Sequence, residues 1–267
     1  MNQIYAFLAD ADGTLIEGGR LDNFPLELKE VIKKVRQSEI LFNLASGRPF
    51  FEQEILYQKL IAPSLPKYHE GILYEGSGVK LFGDSISHIL GGLSQEQLKD
   101  IEEYLHRHNL TEGLVHQPNN DKYETLTGYV TPTFISEGKT NTVLLEQRFQ
   151  QVKPEIETAF PYTEVSMSAD AIDIFAKGLT KARPTLKYSE LTGIPLNRIA
   201  AIGDSGNDMP MLEVVGKARG LAIYVGENPE QIETIKRYKH HFIPNHKGPK
   251  GTIEGLEFIL KHNLGGN

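Results

Sequence analysis

The 267-residue chain contains no cysteine. Disulfides and thiolate chemistry are excluded, and the composition fits a reducing compartment. No apolar stretch approaches the roughly 20 residues needed to span a bilayer. The start, "MNQIYAFLAD", has neither the basic residues nor the long apolar segment of a signal peptide. The expectation is a soluble, cytoplasmic protein with no membrane partner. Basic charge is also short: 28 Lys and Arg against 35 Asp and Glu leave a net charge of −7. That balance argues against a nucleic-acid partner, which requires a basic face. Internal repeats and low-complexity tracts are missing as well. What remains is ordinary globular composition, 39% apolar and 24% charged, sufficient for one large domain or two modest ones.

The order of elements predicts an α/β fold. Ile4 to Ala9 is a short continuous apolar run, as expected of a strand buried on both faces in a parallel sheet. In "FPLELKEVIKKVRQS", Leu28, Val31, Ile32 and Val35 recur at helical spacing, and Pro25 suits a first turn. "EILFNLA" reads as a second buried strand, "SGRPFFEQEILYQKL" as a turn opening into a helix, and "GILYEGSGVKLF" as a strand with a glycine-rich break at Gly76 and Gly78. The texture then changes. "SQEQLKDIEEYLHRHN" is a helix with Ser94 as its start signal. A polar, strand-like stretch follows, then a segment predicted to be helical but interrupted near Pro154, then two short strands about a turn. Residues 92–177 thus read as an inserted α+β domain. After Gly178 the alternation resumes to the end, so 1–91 and 178–267 form a doubly wound, Rossmann-like parallel-sheet core.

The chemistry lies at two strand ends. "ADADGT" follows the first strand and "AIGDSGNDMPML" follows a later one. Loops at the carboxyl ends of parallel strands gather at one edge, so Asp10, Asp12, Asp204 and Asp208 are expected to converge. Four converging carboxylates repel unless a cation sits among them, and an oxygen-only donor set suits Mg²⁺. Two further signals lie between these motifs. "ASGRP" puts Ser46 and the Gly47 amide where they could hold a phosphate oxygen. "AKGLTK" puts Lys181 where a helix begins, a position that favours anions. Taken singly, Ser46 reads first as a helix cap and Lys181 first as a solvated surface lysine.

Asp10-Ala11-Asp12-Gly13-Thr14, Ser46-Gly47, Lys181 and Gly203-Asp204-Ser205-Gly206-Asn207-Asp208 resemble the four motifs of the haloacid dehalogenase superfamily. An insertion between the second and third motifs resembles its C2-cap branch, which includes sugar-phosphate and sucrose-phosphate phosphatases and a class of phosphomannomutases. The resemblance covers nearly the whole core by motif order, and the insertion only by size and position. It implies that Asp10 attacks phosphorus to give an aspartyl-phosphate, and that Asp12 acts as general acid and then general base. It implies Mg²⁺ held by Asp10, the Asp12 main-chain carbonyl, Asp204 and Asp208, with Ser46, Gly47, Lys181 and Asn207 around the phosphate. The expected substrate is a small phosphorylated metabolite, a sugar phosphate in the leading reading. The chain departs from many relatives in carrying Glu75-Gly76-Ser77-Gly78 where they carry Glu-Asn-Gly-Ala. A phosphomutase and a non-catalytic phosphometabolite-binding protein remain as alternatives.

Other signals are weaker. A P-loop ending at Lys139 lacks its first glycine, because residue 133 is Thr133. "GSGVKL" lacks the third glycine of a dinucleotide fingerprint, because that position is Leu81. His240 and His241, and His106 and His108, do not share faces and are not expected to bind metal. Tyr123, Tyr129 and Phe134 are expected in the core of the insertion. Its polar Lys122, Tyr123 and Glu124 receive no role.

Overall fold

Alternation along the strands decides how the core is covered. In β1 (Ala6–Ala9), Phe7 and Ala9 enter one apolar layer while Ala6 and Leu8 enter another. In β10 (Ile199–Gly203), Ala200 and Ile202 join the first layer and Ile199 and Ala201 the second. Strands buried on both faces need helices on both sides of the sheet. The first side is closed by α1 (Leu26–Gln37), α2 (Phe50–Ile61) and α8 (Gly248–Leu264), through residues such as Val31, Leu56 and Leu256. The second is closed by α5 (Ala182–Thr192), α6 (Met209–Lys217) and α7 (Pro229–Lys236), through Tyr188, Leu212 and Ile235. Pro25 sits one position before its expected place, as the extended N-cap of α1.

This computed structural model describes the chain except residues 49, 75–77, 86, 119–126, 131–141, 168–170 and 265–267. Among the described residues the main sheet has eight strands. Their order is β12 (His241–Phe242), β11 (Leu221–Tyr224), β10, β1, β2 (Leu41–Ser46), β3 (Gly71–Tyr74), β4 (Gly78–Leu81) and β5 (His88–Ile89). Pairing is parallel from β12 to β3 and antiparallel for the last two strands. "GILYEGSGVKLF" is therefore two paired strands, with Tyr74 opposite Gly78, and β5 is an edge strand that its two residues gave no periodicity to announce. Glu75, Gly76 and Ser77 lie outside the described residues.

The chain moves outward from β1 to β2 and β3 in one direction, and from β10 to β11 and β12 in the other. β1 and β10 lie side by side, in register from Ala6 opposite Ile199 to Ala9 opposite Ile202. Their carboxyl ends meet where the strand order reverses, the place where open α/β sheets form ligand crevices. The opposite end of β2 carries a buried pair of a structural kind. Glu70 accepts from Arg36 Nε at 2.7 Å, Tyr57 Oη at 2.6 Å and the Phe42 amide at 3.0 Å.

The chain divides into two compact units, Met1–Leu90 with Thr180–Asn267, and Gly91–Leu179. The second unit is an antiparallel sheet in the order β6 (Val115–Pro118), β7 (Thr127–Val130), β9 (Ala171–Ala176), β8 (Thr163–Met167), with α3 (Gln95–Arg107) and α4 (Thr142–Ala159). Ser94 caps α3 in a reciprocal capping box with Gln97. The expected break near Pro154 is not seen: α4 continues through it. A proline there costs about 3 kcal/mol of helix stability. The residues flanking it offset this by tying α4 to β8. Lys153 Nζ donates to the Val165 carbonyl at 2.9 Å, the Val165 amide donates to Glu157 at 3.1 Å, and Val152 and Ile156 are buried. Lys122, Tyr123, Glu124, Thr133, Phe134 and Lys139 lie outside the described residues, and of Tyr129 only the backbone, in β7, is described. Among the described residues no helix is long and apolar enough to cross a membrane.

Candidate active site

Asp10 is the first residue beyond β1 and is buried, its amide donating to the Ile202 carbonyl of β10 at 3.0 Å. The chain then turns sharply, with Gly13 donating to the Ile16 carbonyl and the Leu15 and Ile16 amides both returning to Ala11. Gly13 has φ +73°, and a Cβ there would lie 2.3 Å from Asp204 Oδ2. Glycine is required twice over, by backbone conformation and by the approach of the carboxylate. Thr14 Oγ1 donates to Asp204 Oδ1 at 2.8 Å, which ties the first loop to the loop after β10. Thr252 of α8 anchors the same turn by donating to the Thr14 carbonyl at 2.7 Å.

The second loop folds around Asp208. Its Oδ2 accepts from the Asp204 amide at 2.9 Å, the Ser205 amide at 3.0 Å and Ser205 Oγ at 3.2 Å. A Cβ on Gly203 would meet Asp208 Cγ at 2.4 Å, so the strand must end in glycine for Asp208 to fold back beneath it. Lys181, at the N-cap of α5, is fully buried. Its Nζ donates to Asp10 Oδ1 and to Asp208 Oδ1, each at 2.7 Å. The solvated-surface reading of this lysine is excluded.

Carboxylate oxygens of Asp10, Asp204 and Asp208 lie within 4.8 Å of one another. At such separations each pair of charges repels by on the order of 3 kcal/mol at an effective dielectric of about 20. One ammonium faces three carboxylates, so the cluster carries excess negative charge. Burial, and then the Asp208 charge, push the Asp10 carboxyl well above the usual range, against the opposing pull of Lys181. Burial and Asp208 likewise push Asp204 up to about 6. The carboxylate pressing hardest on Asp10 is thus Asp208, not its sequence neighbour Asp12. Oxygen-only donors, close spacing and unbalanced charge fit a hard divalent cation such as Mg²⁺.

Asp12 stands apart from this cluster. Its side chain is 45% exposed, and both oxygens accept from Arg48, from Nε at 2.6 Å and Nη2 at 2.8 Å. Arg48 also reaches Glu52 at 2.5 Å and the Gly19 carbonyl at 2.6 Å. Burial pulls the guanidinium down, but Asp12 and Glu52 more than offset it and raise its pKa. Ser46 ends β2, buried, and its Oγ accepts from the Arg48 amide at 3.3 Å. Gly47 lies between them. Asn207 is exposed, and its Oδ1 accepts from Ser205 Oγ at 2.6 Å. The structure therefore gathers Asp10, Asp204, Asp208 and Lys181, and turns the Asn207 carbonyl toward its own loop. Arg48 has no role among the sequence expectations; its place two residues after Ser46 in "ASGRP" is the signal that marks it.

The family model for haloacid dehalogenase-like hydrolases matches residues 7–238. The chain belongs to this family. The α+β unit inserted between Ser46 and Lys181 gives it the C2-type arrangement within that fold. It is 41% identical over 68 residues to phosphoglycolate phosphatase of Methanothrix thermoacetophila, a match covering 26% of this chain and 29% of that protein. It is 24% identical over 234 residues to the 5-amino-6-(5-phospho-D-ribitylamino)uracil phosphatase of Bacillus subtilis, covering 79% of this chain and 84% of the relative. Among solved structures, Thermoplasma acidophilum 0175 shares the fold at TM-score 0.71 and 16% identity, over 97% of this chain and 99% of that one.

The raised Asp204 carboxyl makes a prediction about stability. Its folded pKa of about 6 exceeds the ordinary 3.8, so the folded protein binds this proton more tightly than the unfolded one. The resulting stabilisation is present below the unfolded value and is lost as pH rises to about 6. Above that, the ionised group costs up to about 3 kcal/mol. Asp204→Asn is therefore expected to raise the metal-free Tm at pH 7.5 by several degrees, and Mg²⁺ is expected to raise the Tm of the wild type but not that of the variant. Thermal unfolding in EDTA and in MgCl₂ checks both, and an equal Mg²⁺ response in the two proteins would contradict it.

Proposed function

We propose that this hydrolase is a Mg²⁺-dependent phosphatase of a small phosphorylated metabolite, with a sugar phosphate as the leading class. The observation that carries the reading is Lys181 Nζ, buried and bonded to both Asp10 and Asp208, with Asp204 within reach at the same sheet edge. A buried ammonium among carboxylates is a fixed positive charge that an incoming phosphate monoester can share. The relatives' names support the substrate class: phosphoglycolate and the phosphoribityl compound are both small organic phosphates.

Asp10, the Asp12 main-chain carbonyl and Asp204 would hold Mg²⁺, with Asp208 completing or supporting the set. The chemistry it supplies is charge neutralisation between the Asp10 carboxylate and the phosphate. Three hydrogen bonds already occupy Asp208 Oδ2, which favours a supporting role for that residue. A carboxylate oxygen of Asp10 attacks phosphorus as the phosphorus–oxygen bond to the alcohol breaks. Asp12 passes its proton to the leaving oxygen. Asp12 then takes a proton from water, whose oxygen attacks phosphorus and releases Asp10 and inorganic phosphate. Because both Asp12 oxygens accept from Arg48, donation requires one of them to come free of the guanidinium. Ser46, the Gly47 amide and Lys181 hold phosphoryl oxygens as charge spreads in the transition state. The inserted unit is assigned the selection of the leaving group. Release of inorganic phosphate across a panel of sugar and short-chain organic phosphates at fixed Mg²⁺ tests the reading. One dominant substrate identifies the reaction; no release from any member contradicts it.

A further inference from the structure

We infer that Gln53 is a positioning residue for the phosphate-holding segment Ser46–Arg48, an assignment that rests on the phosphatase reading above. Gln53 lies in the first turns of α2 and is fully buried. Its single side-chain nitrogen, Nε2, donates to two main-chain carbonyls, Ser46 at 3.0 Å and Arg48 at 2.7 Å. The amide can face only one way. Turning it over would set Oε1 against both carbonyl oxygens, where no donor exists. Oε1 itself has no hydrogen-bond partner among the described residues. A buried acceptor left unmatched is unfavourable. Packing alone would be better served by an apolar side chain of the same length, so what a glutamine adds here is its pair of donors.

The two bonds fix the direction of a peptide. In a trans peptide the carbonyl and the following amide point to opposite sides. Ser46–Gly47 is trans, so drawing the Ser46 carbonyl onto Gln53 turns the Gly47 N–H away from α2. That N–H is the one assigned to a phosphoryl oxygen. Holding the Arg48 carbonyl also steadies the residue whose guanidinium carries Asp12. One side chain thereby sets both the phosphate-facing amide and the base of the acid–base pair. It touches neither substrate nor metal in this assignment, and acts only through Ser46, Gly47 and Arg48.

Gln53→Met keeps the length, removes both donors and also removes the unmatched Oε1. The expected result is a folded protein with a Tm within about 5 °C of wild type. Its kcat/KM falls about 10- to 100-fold through misplacement of the segment. The constant for inhibition by inorganic phosphate rises about tenfold, as expected when a hydrogen bond to a charged group is lost. Asp10→Asn, measured beside it, separates the role of Gln53 from the phosphatase activity itself. If the wild type releases phosphate and Asp10→Asn does not, but folded Gln53→Met matches the wild type in kcat/KM and phosphate inhibition, the role of Gln53 is overturned and the phosphatase reading stands. If activity falls only in proportion to unfolded protein, with phosphate inhibition unchanged, the role is likewise overturned. If the wild type itself releases no phosphate, the phosphatase reading falls and this assignment with it. Should Gln53→Met fail to fold, Gln53→Glu carries the same test. It replaces only the donor nitrogen by an oxygen, and is expected to weaken phosphate inhibition at least as much.

Discussion

Asp10→Asn is expected to lower phosphate release by roughly 10⁴-fold or more, the scale seen when a nucleophile is removed from an enzyme that depends on it. The loss should come without loss of fold. An amide oxygen at this position can still accept from Lys181, whose Nζ lies 2.7 Å from Asp10 Oδ1. The substitution also removes one of three crowded charges from a group already pushed well above the ordinary carboxylate range by burial and Asp208. The metal-free variant should therefore unfold at the same or a higher temperature than wild type. Steady-state release of phosphate and a thermal melt on the same preparation check the pair of outcomes. An inactive variant that is also unstable would leave the nucleophile unproven, and an active, stable one would remove Asp10 from that role.

Lys181→Met is expected to damage both stability and activity. The ammonium is completely buried and is the shared partner of Asp10 and Asp208. Removing it leaves two carboxylates facing each other across an apolar side chain. Breaking a buried pair from one side costs about 3–5 kcal/mol. In EDTA the urea midpoint should fall accordingly, and Mg²⁺ should recover part of the difference by supplying positive charge to the same carboxylates. Turnover should fall by about 10²- to 10³-fold even at saturating Mg²⁺, because the proposed mechanism loses its fixed donor to the transferring phosphoryl group. Lys181→Arg should not rescue it, since a guanidinium is larger than the closed space that holds the ammonium. A midpoint in EDTA equal to that of wild type would show that the pair carries no structural energy.

Much of the frame was legible in the sequence because it rests on local signals. The apolar runs at Ile4–Ala9 and through Ile199–Gly203 declare strands buried on both faces, and helical spacing in Leu28, Val31, Ile32 and Val35 declares the helix between strands. Motifs at the ends of two strands far apart in sequence placed Asp10 and Asp204 at one edge. The contacts that divide the work among these residues were not legible, because they form only on folding. Nothing local to Lys181 says that it is buried between two carboxylates. Nothing in "DADGT" says that Asp12 turns to Arg48 while Asp10 turns to Lys181. Nor is it legible that the carboxylate pressing on Asp10 is Asp208, which lies 198 positions later in the chain and packs against the same ammonium. Nothing local marks Gln53 either, because its two bonds run to main-chain carbonyls that no side-chain pattern records. Pro154 misled in the other direction: its local penalty is real, but Lys153 and Glu157 hold the helix to its neighbouring strand.

The proposed mechanism requires that a phosphoryl group become covalently attached to Asp10. Rapid mixing of the Mg²⁺-loaded wild type with a ³²P-labelled substrate, followed by acid quench, measures this directly. The expected label is stable to acid, released by hydroxylamine, located on the peptide that contains Asp10, and missing from Asp10→Asn. Phosphate release during turnover with no protein-bound label at any time before steady state, or with the label on another residue, would contradict it.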